Sequence, residues 1–321
     1  NCCSCMTNSF GSANLKSNNP PDSSMRDFYI YAMPDLDEAV IWALELFRDA
    51  EIPQLDFPYE RPLIVGSGNA AATGRILFND VDAVFADESN YEEMIERTDG
   101  AVLISASGAK HAVPIAERLK NSGMDFHLIT NNPDAPAKIH IPPAHMHVFP
   151  KNKEPYTYNT STYLGMILGH THEDPQGIME FIQNEVAQKI PDNIADYDGY
   201  YVMLPARFES TGELLVTKFV ELFGRKVARD VFTDEHSKHA TTVVPANELF
   251  IEVGDVDVHV GDPCLAIPLP DDAKAGAVMA IMYWVIGQIQ KGKPDWFKEN
   301  IASYCERASK IFGQELKPIV D

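Results

Sequence analysis

From Met25 onward, short apolar runs alternate with longer segments in which apolar residues recur every three or four positions. The recurrence over 35–50 predicts an amphipathic helix. Unbroken apolar runs predict four buried strands, at 62–65, 82–86, 101–105 and 126–130. Helices are predicted between them, after 68 and at 91–97 and 110–121. Because strands alternate with helices, this half is expected to form a parallel sheet with helices on both faces.

A second series of the same kind follows two predicted helices at 158–169 and 175–189. Its predicted strands lie at 200–204, 227–232, 249–253 and 263–267, and its predicted helices at 212–223, 273–290 and 296–312. We place the boundary near 191–197, which gives a first domain of 25–190 and a second of 191–321. The predicted fold class is α/β, with two doubly wound, flavodoxin-like parallel-sheet subdomains.

The two series share a short motif. Ala72-Thr-Gly-Arg75 precedes Val84-Phe-Ala-Asp-Glu88 in the first, and Ser210-Thr-Gly-Glu213 precedes Val231-Phe-Thr-Asp-Glu235 in the second. This match predicts that the two halves are related repeats.

Composition narrows the range of partners. The 321 residues include 47 acidic and 26 basic residues, a net charge of −21. Such a surface repels nucleic acid and anionic lipid, so neither is expected as a partner. The longest apolar region, 275–289, is too short and too interrupted for a membrane span. Cys264 and Cys305 lie in apolar contexts typical of core thiols, which favours a reducing, cytoplasmic compartment.

The first 24 residues are rich in Ser, Asn and Pro and contain no apolar run. We expect a disordered leader over 1–24. Cys2, Cys3 and Cys5 lie within it, but no second ligand pair follows at a spacing typical of metal sites, so an inert tail is favoured over a metal or lipid site.

Two glycine-containing loops follow predicted strands and precede predicted helices. They are Gly66-Ser67-Gly68-Asn69 and Ser105-Ala-Ser107-Gly108. Glycine lets a ligand approach the backbone, and a helix N-terminus presents free N–H groups to an anion. With Asp87 about 20 residues on, the first loop also fits a loose dinucleotide fingerprint, which leaves an NAD-dependent oxidoreductase open.

The two loops, together with the doubled α/β unit, resemble the sugar isomerase (SIS) family, which includes the isomerase domain of glucosamine-6-phosphate synthase and the two-domain phosphoglucose/phosphomannose isomerases. The resemblance implies that Ser105, Ser107 and Gly108 hold a sugar phosphate, assisted by Ser161 and Thr162. The sequence departs from the family at Ala70, where Ser is common, and at Lys110, where Thr is usual. Lys110 is expected to supply the missing phosphate contact as a point charge.

The segment 234–239 resembles the Glu-containing segments of SIS isomerases. Aldose–ketose interconversion needs a base that moves a proton through an enediol and a group that opens the sugar ring. By resemblance, Glu235 is the candidate base, His239 or His236 the ring-opening group, and Lys317 a cation that closes over the sugar. Arg207 is a further candidate for the same cleft.

These features predict a cofactor-free isomerase that acts on a hexose 6-phosphate as a homodimer. A non-catalytic sugar-phosphate-binding protein and the oxidoreductase remain alternatives. No metal is expected, because His140, His145 and His147 have no acidic residue near them in the sequence. Which hexose phosphate is used, and whether ammonia takes part, are left open.

Overall fold

The structure is a computed structural model that describes residues 29–320. The predicted leader at 1–24, with its three cysteines, lies outside this range. The chain from Tyr29 leads through a 3₁₀ turn into helix α1 (Leu36–Asp49). Asp35 and Glu38 form a capping box that satisfies free N–H groups at the start of this helix.

The first sheet consists of five parallel strands in the order β2-β1-β3-β4-β5. They are β1 (Pro62–Val65), β2 (Val84–Ala86), β3 (Gly100–Ile104), β4 (Phe126–Thr130) and β5 (Met146–Val148). Helices α2 (Asn69–Leu77) and α3 (Ala112–Ser122) and a 3₁₀ helix at Tyr91–Arg97 connect strands. This is the flavodoxin-like order, in which the direction of winding reverses between β1 and β3.

A connecting region joins this sheet to the second. It contains the two-residue strand β6 (Glu154–Pro155), helix α4 (Thr160–Thr171) and helix α5 (Pro175–Phe181). The predicted helix 175–189 changes pitch along its length, because α5 continues as a π-helical turn at Ile182–Val186 and a 3₁₀ turn at Ala187–Lys189.

The second sheet has four parallel strands in the order β10-β9-β7-β8. They are β7 (Gly199–Leu204), β8 (Ala228–Thr233), β9 (Glu248–Val253) and β10 (Cys264–Ile267). Helix α6 (Gly212–Phe223) joins β7 to β8, and the short helix α7 (Asp234–Ser237) follows β8. The strand order repeats that of the first four strands of the first sheet, which confirms the predicted pair of doubly wound α/β units.

Three elements complete the described chain: helices α8 (Ala275–Gly292) and α9 (Trp296–Phe312), and strand β11 (Ile319–Val320). Strand β11 pairs antiparallel with β6. Among residues 29–320, no helix has the length and apolar character that crossing a membrane requires.

One hydrophobic core extends across both sheets. Its centre is α8, which is apolar around nearly its whole circumference and packs against α1, α4 and α6. In β1, Ile64 faces this core, while Leu63 and Val65 face a smaller core formed with α3. Because the two halves share a core, the domain boundary near 191–197 remains a prediction.

Candidate functional site

Two loops leave neighbouring strands where the strand order of the first sheet reverses. The loop 66–68 follows β1, and the loop 105–108 follows β3, which pairs directly with β1. In open parallel sheets, ligands bind in the crevice outside the carboxyl ends of the strands at this point. The topology therefore brings both predicted loops to one edge.

The end of β4 fixes the second loop. Thr130 donates its hydroxyl to the carbonyl of Ala106 at 3.0 Å, and Asn132 donates its side-chain amide to the carbonyl of Ser107 at 3.0 Å. The N–H of Gly108 donates to Oγ of Ser105 at 3.2 Å. These bonds fix the backbone of the loop and the side chain of Ser105 shortly before α3.

A cavity of about 700 Å³ opens between this loop and the region 151–163. Its polar wall is formed by Ser67, Ser105, Ser107, Asn131, Asn132 and Thr162. Lys110, His111 and Lys151 add basic groups, and none of the described lining residues is Asp or Glu. In a chain with a net charge of −21, such a wall is suited to an anionic ligand.

Backbone strain is concentrated at this cavity. Lys110 and Asn159 line it with φ of +48° each, and Thr157 nearby has a φ of +76°. They are three of the four non-glycine residues with positive φ in residues 29–320. Such conformations cost free energy and cluster at functional sites.

The N-terminus of α4 contains Ser161 and Thr162, which were expected to hold phosphate. Instead, the buried carboxylate of Glu154 accepts from the N–H groups of Thr160 (2.9 Å) and Ser161 (3.3 Å) and from the hydroxyls of Ser161 (3.1 Å) and Thr162 (3.3 Å). Burial raises the pKa of Glu154, although these bonds oppose the shift. Ser161 is fully buried, so its hydroxyl serves Glu154, and only Thr162 reaches the cavity wall.

The first loop faces two ways. Gly66 and Ser67 line both the basic cavity and a second cavity of about 340 Å³, whereas Gly68 lines only the second. Asp87, Glu88 and Glu213 also line this second cavity. Asn69 begins α2 and accepts at its carbonyl from Thr73. The hydroxyl of Ser67 donates to Glu88, which lowers the pKa of that carboxyl.

The dinucleotide alternative loses support from this arrangement. A carboxylate stands beside the loop that would hold the pyrophosphate, and like charges repel. The strand order also differs from the 3-2-1-4-5-6 order of dinucleotide-binding folds.

The predicted catalytic segment lies elsewhere in the chain. Glu235, His236 and His239 are exposed beside β8, an edge strand of the second sheet, and none of them lines the basic cavity. Glu235 accepts from Lys238 Nζ at 2.6 Å, and this bond lowers the pKa of the Glu235 carboxyl. His236 stacks on Phe232, with ring centroids 4.5 Å apart.

Two further candidates also lie off the cavity wall. Arg207 pairs with Asp255 at 2.6 Å, joining the loops after β7 and β9 in the second sheet. Lys317 is exposed and does not line the cavity. The residues that follow Lys317 do approach the cavity. The N–H of Tyr156 donates to the carbonyl of Pro318 at 2.8 Å, and Val320 lines the cavity.

Sequence reasoning missed a buried ion pair behind the cavity wall. Lys218 is 1% exposed and donates to Glu221 Oε2 at 2.7 Å and to the carbonyls of Thr157 and Tyr158. The signal was a lysine among the apolar residues of α6, on the face that packs inward. Burial, with a smaller contribution from the charge of Glu221, raises the pKa of Tyr163, which lines the cavity.

No family model matches the sequence. No curated protein matches it either. Solved structures do match in fold. Glucosamine-6-phosphate deaminase from Thermotoga maritima is 14% identical, with a TM-score of 0.54 over 79% of this chain and 91% of that chain.

Two other solved structures show the same fold. The C-terminal domain of glucosamine-fructose-6-phosphate aminotransferase from Francisella tularensis is 14% identical, with a TM-score of 0.51 over 83% of this chain and 96% of that chain. Tagatose-6-phosphate ketose/aldose isomerase from Escherichia coli is 13% identical, with a TM-score of 0.50 over 79% and 86%. At such identities the likeness concerns the fold, and it confirms the one that the loops implied: the chain has the doubled α/β fold of the sugar isomerase (SIS) proteins.

Proposed function

We propose that this chain binds a phosphorylated sugar in the basic cavity. The observation that carries the proposal is the set of residues that line the cavity, which includes Lys110 and Lys151 but no described carboxylate, in a strongly acidic chain. The solved structures with this fold include a glucosamine-6-phosphate deaminase and a tagatose-6-phosphate ketose/aldose isomerase, which supports the same class of ligand.

The ester phosphate is assigned to the loop 105–110. Ser105 and Ser107 offer hydroxyls, and Lys110 offers an ammonium on the same wall. The 11-residue helix α3 begins directly after His111, so its free N–H groups and positive dipole end favour an anion there. Asn131 and Asn132 line the same cavity, and their side-chain NH2 groups donate to carbonyls of the chain, so we assign them to holding the loop in position.

A thermal-shift measurement tests the binding proposal. Glucose 6-phosphate should raise Tm and glucose should not, with about 2.7 kcal/mol of stabilisation at a hundredfold excess over Kd. Ser107→Ala and Lys110→Asn should weaken the effect, since Asn tolerates the positive φ of position 110. The control is Lys120→Gln, which removes an exposed lysine from helix α3. Equal shifts with both sugars would refute phosphate recognition.

The finer proposal is aldose–ketose isomerisation of a hexose 6-phosphate, without a cofactor, by a cytoplasmic homodimer. Proton transfer between C1 and C2 needs a base, and the described cavity wall supplies no carboxylate. Glu235 and His239 are exposed on the far sheet, where a second subunit can meet them. We assign them to the cavity of the partner subunit, and Lys317 to closure over the sugar.

Sugar-phosphate binding without catalysis is the second candidate. It is favoured by the same absence of a carboxylate among the described residues of the wall. An isomerisation assay with glucose 6-phosphate and fructose 6-phosphate separates the two candidates: binding without turnover would establish the non-catalytic role.

A further inference from the structure

Three histidines come together at the edge of the first sheet where the strands begin, opposite the edge that carries the basic cavity. Strands β4 and β5 begin at Phe126 and Met146, and the parallel register that sets Leu128 beside Met146 places His127 beside His145. Asp125 lies just before β4 and is half exposed. The fold thus brings Asp125 and His127 next to His145, which lies 20 positions after Asp125 in the sequence.

The polar atoms of this cluster are close enough to share an ion. One oxygen of Asp125 and one nitrogen each of His127 and His145 lie within 4.8 Å of one another. Nδ1 of His145 lies 3.0 Å from the carbonyl oxygen of Phe126 and 3.3 Å from Asp125 Oδ1. Because a carbonyl oxygen only accepts, Nδ1 carries the proton, and Nε2 is the nitrogen of His145 that can bind a metal. The imidazole rings of His127 and His145 stack with centroids 4.2 Å apart.

A second layer of side chains orients these three. Tyr59 donates its hydroxyl to the other carboxylate oxygen of Asp125, Oδ2, at 2.9 Å. Nε2 of His147 lies 2.9 Å from Nδ1 of His127, a hydrogen-bond distance. Metal-binding carboxylates and imidazoles are typically held by such partners, which fix the ring orientation and the tautomer. Phe57 packs edge-on against both His127 and His147 and gives the cluster an apolar side.

We propose that Asp125, His127 and His145 bind a divalent transition-metal ion of the Zn²⁺ class, with His147 and Tyr59 as positioning residues. Two imidazoles and one carboxylate are a ligand set that Zn²⁺ accepts, with water in the fourth position. A cavity of about 560 Å³ is lined by Asp125 and His145 and provides the entry path. The ion would link β4 to the short edge strand β5. The site revises the expectation of no metal.

The test is titration of the chelator-treated full chain with Co²⁺, followed by displacement with Zn²⁺. We expect the first equivalent to show the visible bands of tetrahedral Co²⁺ without thiolate charge-transfer bands. His145→Gln and Asp125→Asn should weaken binding about 100-fold or more, and Tyr59→Phe, which keeps the packed ring, about 10- to 100-fold. His172→Asn removes an exposed imidazole at a position of positive φ and is the control.

Three results would overturn the proposal. One is no binding at micromolar Co²⁺. A second group with potential ligand atoms consists of Glu252, His259 and Cys264. The proposal would therefore also be overturned if the first equivalent of Co²⁺ showed thiolate bands, or if the bands of the first equivalent disappeared in His259→Gln. The third is an affinity for Co²⁺ that is unchanged both in Tyr59→Phe and in either His145→Gln or Asp125→Asn. If His145→Gln fails to fold, Tyr59→Phe and Asp125→Asn decide the outcome.

Discussion

Arg75 and Glu213 form an ion pair of 2.8 Å across 138 positions of sequence. Each residue occupies the last position of one copy of the repeated motif, Ala72-Thr-Gly-Arg75 in the first unit and Ser210-Thr-Gly-Glu213 in the second. Equivalent positions of the two units thus face each other, and α2 packs against α6. Contact between equivalent positions is what a local twofold relation between two repeats produces.

We expect the Arg75–Glu213 pair to contribute little to stability. Both side chains are about half exposed, so a double-mutant cycle with Arg75→Ala and Glu213→Ala should give a coupling below about 1 kcal/mol that falls with added salt. The equally exposed pair Arg118–Glu92 is the control. A coupling several times larger, insensitive to salt, would mean that the pair determines how the two units are joined.

Gly108→Ala should disturb the loop 105–110, to which we assign the phosphate. Gly108 has a φ of +58°, and a Cβ there would lie 2.4 Å from Cβ of Ala135. Gly123 ends α3 with a φ of +76° and has open space around it. Gly123→Ala should therefore cost about 1 kcal/mol from backbone strain alone, and Gly108→Ala should cost more and also lower the affinity for glucose 6-phosphate.

Urea unfolding and ligand titration of the two glycine variants measure these effects. Equal losses of stability, with ligand affinity retained in Gly108→Ala, would show that the loop adapts to the added methyl group and does not act as a rigid cradle.

Replacing Glu154 should change how stability depends on pH. Because burial raises its folded pKa above the ordinary value of 4.5, Glu154 contributes most stability below that pH, and the contribution is lost as pH rises through the folded pKa. Glu154→Gln keeps an acceptor for the helix N–H groups but does not ionise. The stability of wild type relative to this variant should thus fall with rising pH.

Glu154→Ala should be less stable than Glu154→Gln at every pH, by about 1–3 kcal/mol, because it leaves buried donors at the start of α4 without acceptors. Unfolding by urea at several pH values compares the variants, with the exposed Glu306→Gln as control. A parallel pH dependence in wild type and Glu154→Gln would contradict the shifted pKa.

Mixing two impaired variants tests whether the site is shared between subunits. If Glu235 and His239 act in the partner's cavity, Glu235→Gln should suppress isomerisation by roughly 10²-fold because it removes the base. Ser107→Ala should lower the rate through weaker phosphate binding when the substrate is below saturation. After subunit exchange, mixed dimers contain one intact site, so about a quarter of wild-type activity should return in a symmetric dimer. If no activity returns although both proteins are dimeric and exchange subunits, the base lies in the same chain as the cavity. Glu221 would then be the next candidate for the base.

Much of the fold could be predicted from the sequence because its central strands are unbroken apolar runs. The strands 62–65 and 126–130 and the helices 212–223 and 296–312 have the predicted bounds. Strand β5 was missed because its alternation of histidine with apolar residues follows a proline-rich stretch. Strands β6 and β11 have only two residues each and exist through pairing with each other, which no local pattern reveals.

The site was partly predictable for a topological reason. Loops that follow β1 and β3 must meet, since parallel strands end at one edge, so placing Ser105 and Ser107 together needed only the order of elements. Partners of single side chains could not be read from the sequence. Nothing local showed that Ser161 would serve Glu154, that Arg207 would pair with Asp255, or that Asp125 would meet the histidines.

The carboxylate of Glu154 has a consequence for ligand choice. Its side chain already accepts from the N–H groups of Thr160 and Ser161 at the N-terminus of α4, the kind of place where an external anion binds. The proposed phosphate therefore stays with the loop that leads into α3. We expect a second phosphate on the sugar to add little affinity at α4, because these N–H groups already have an acceptor within the chain.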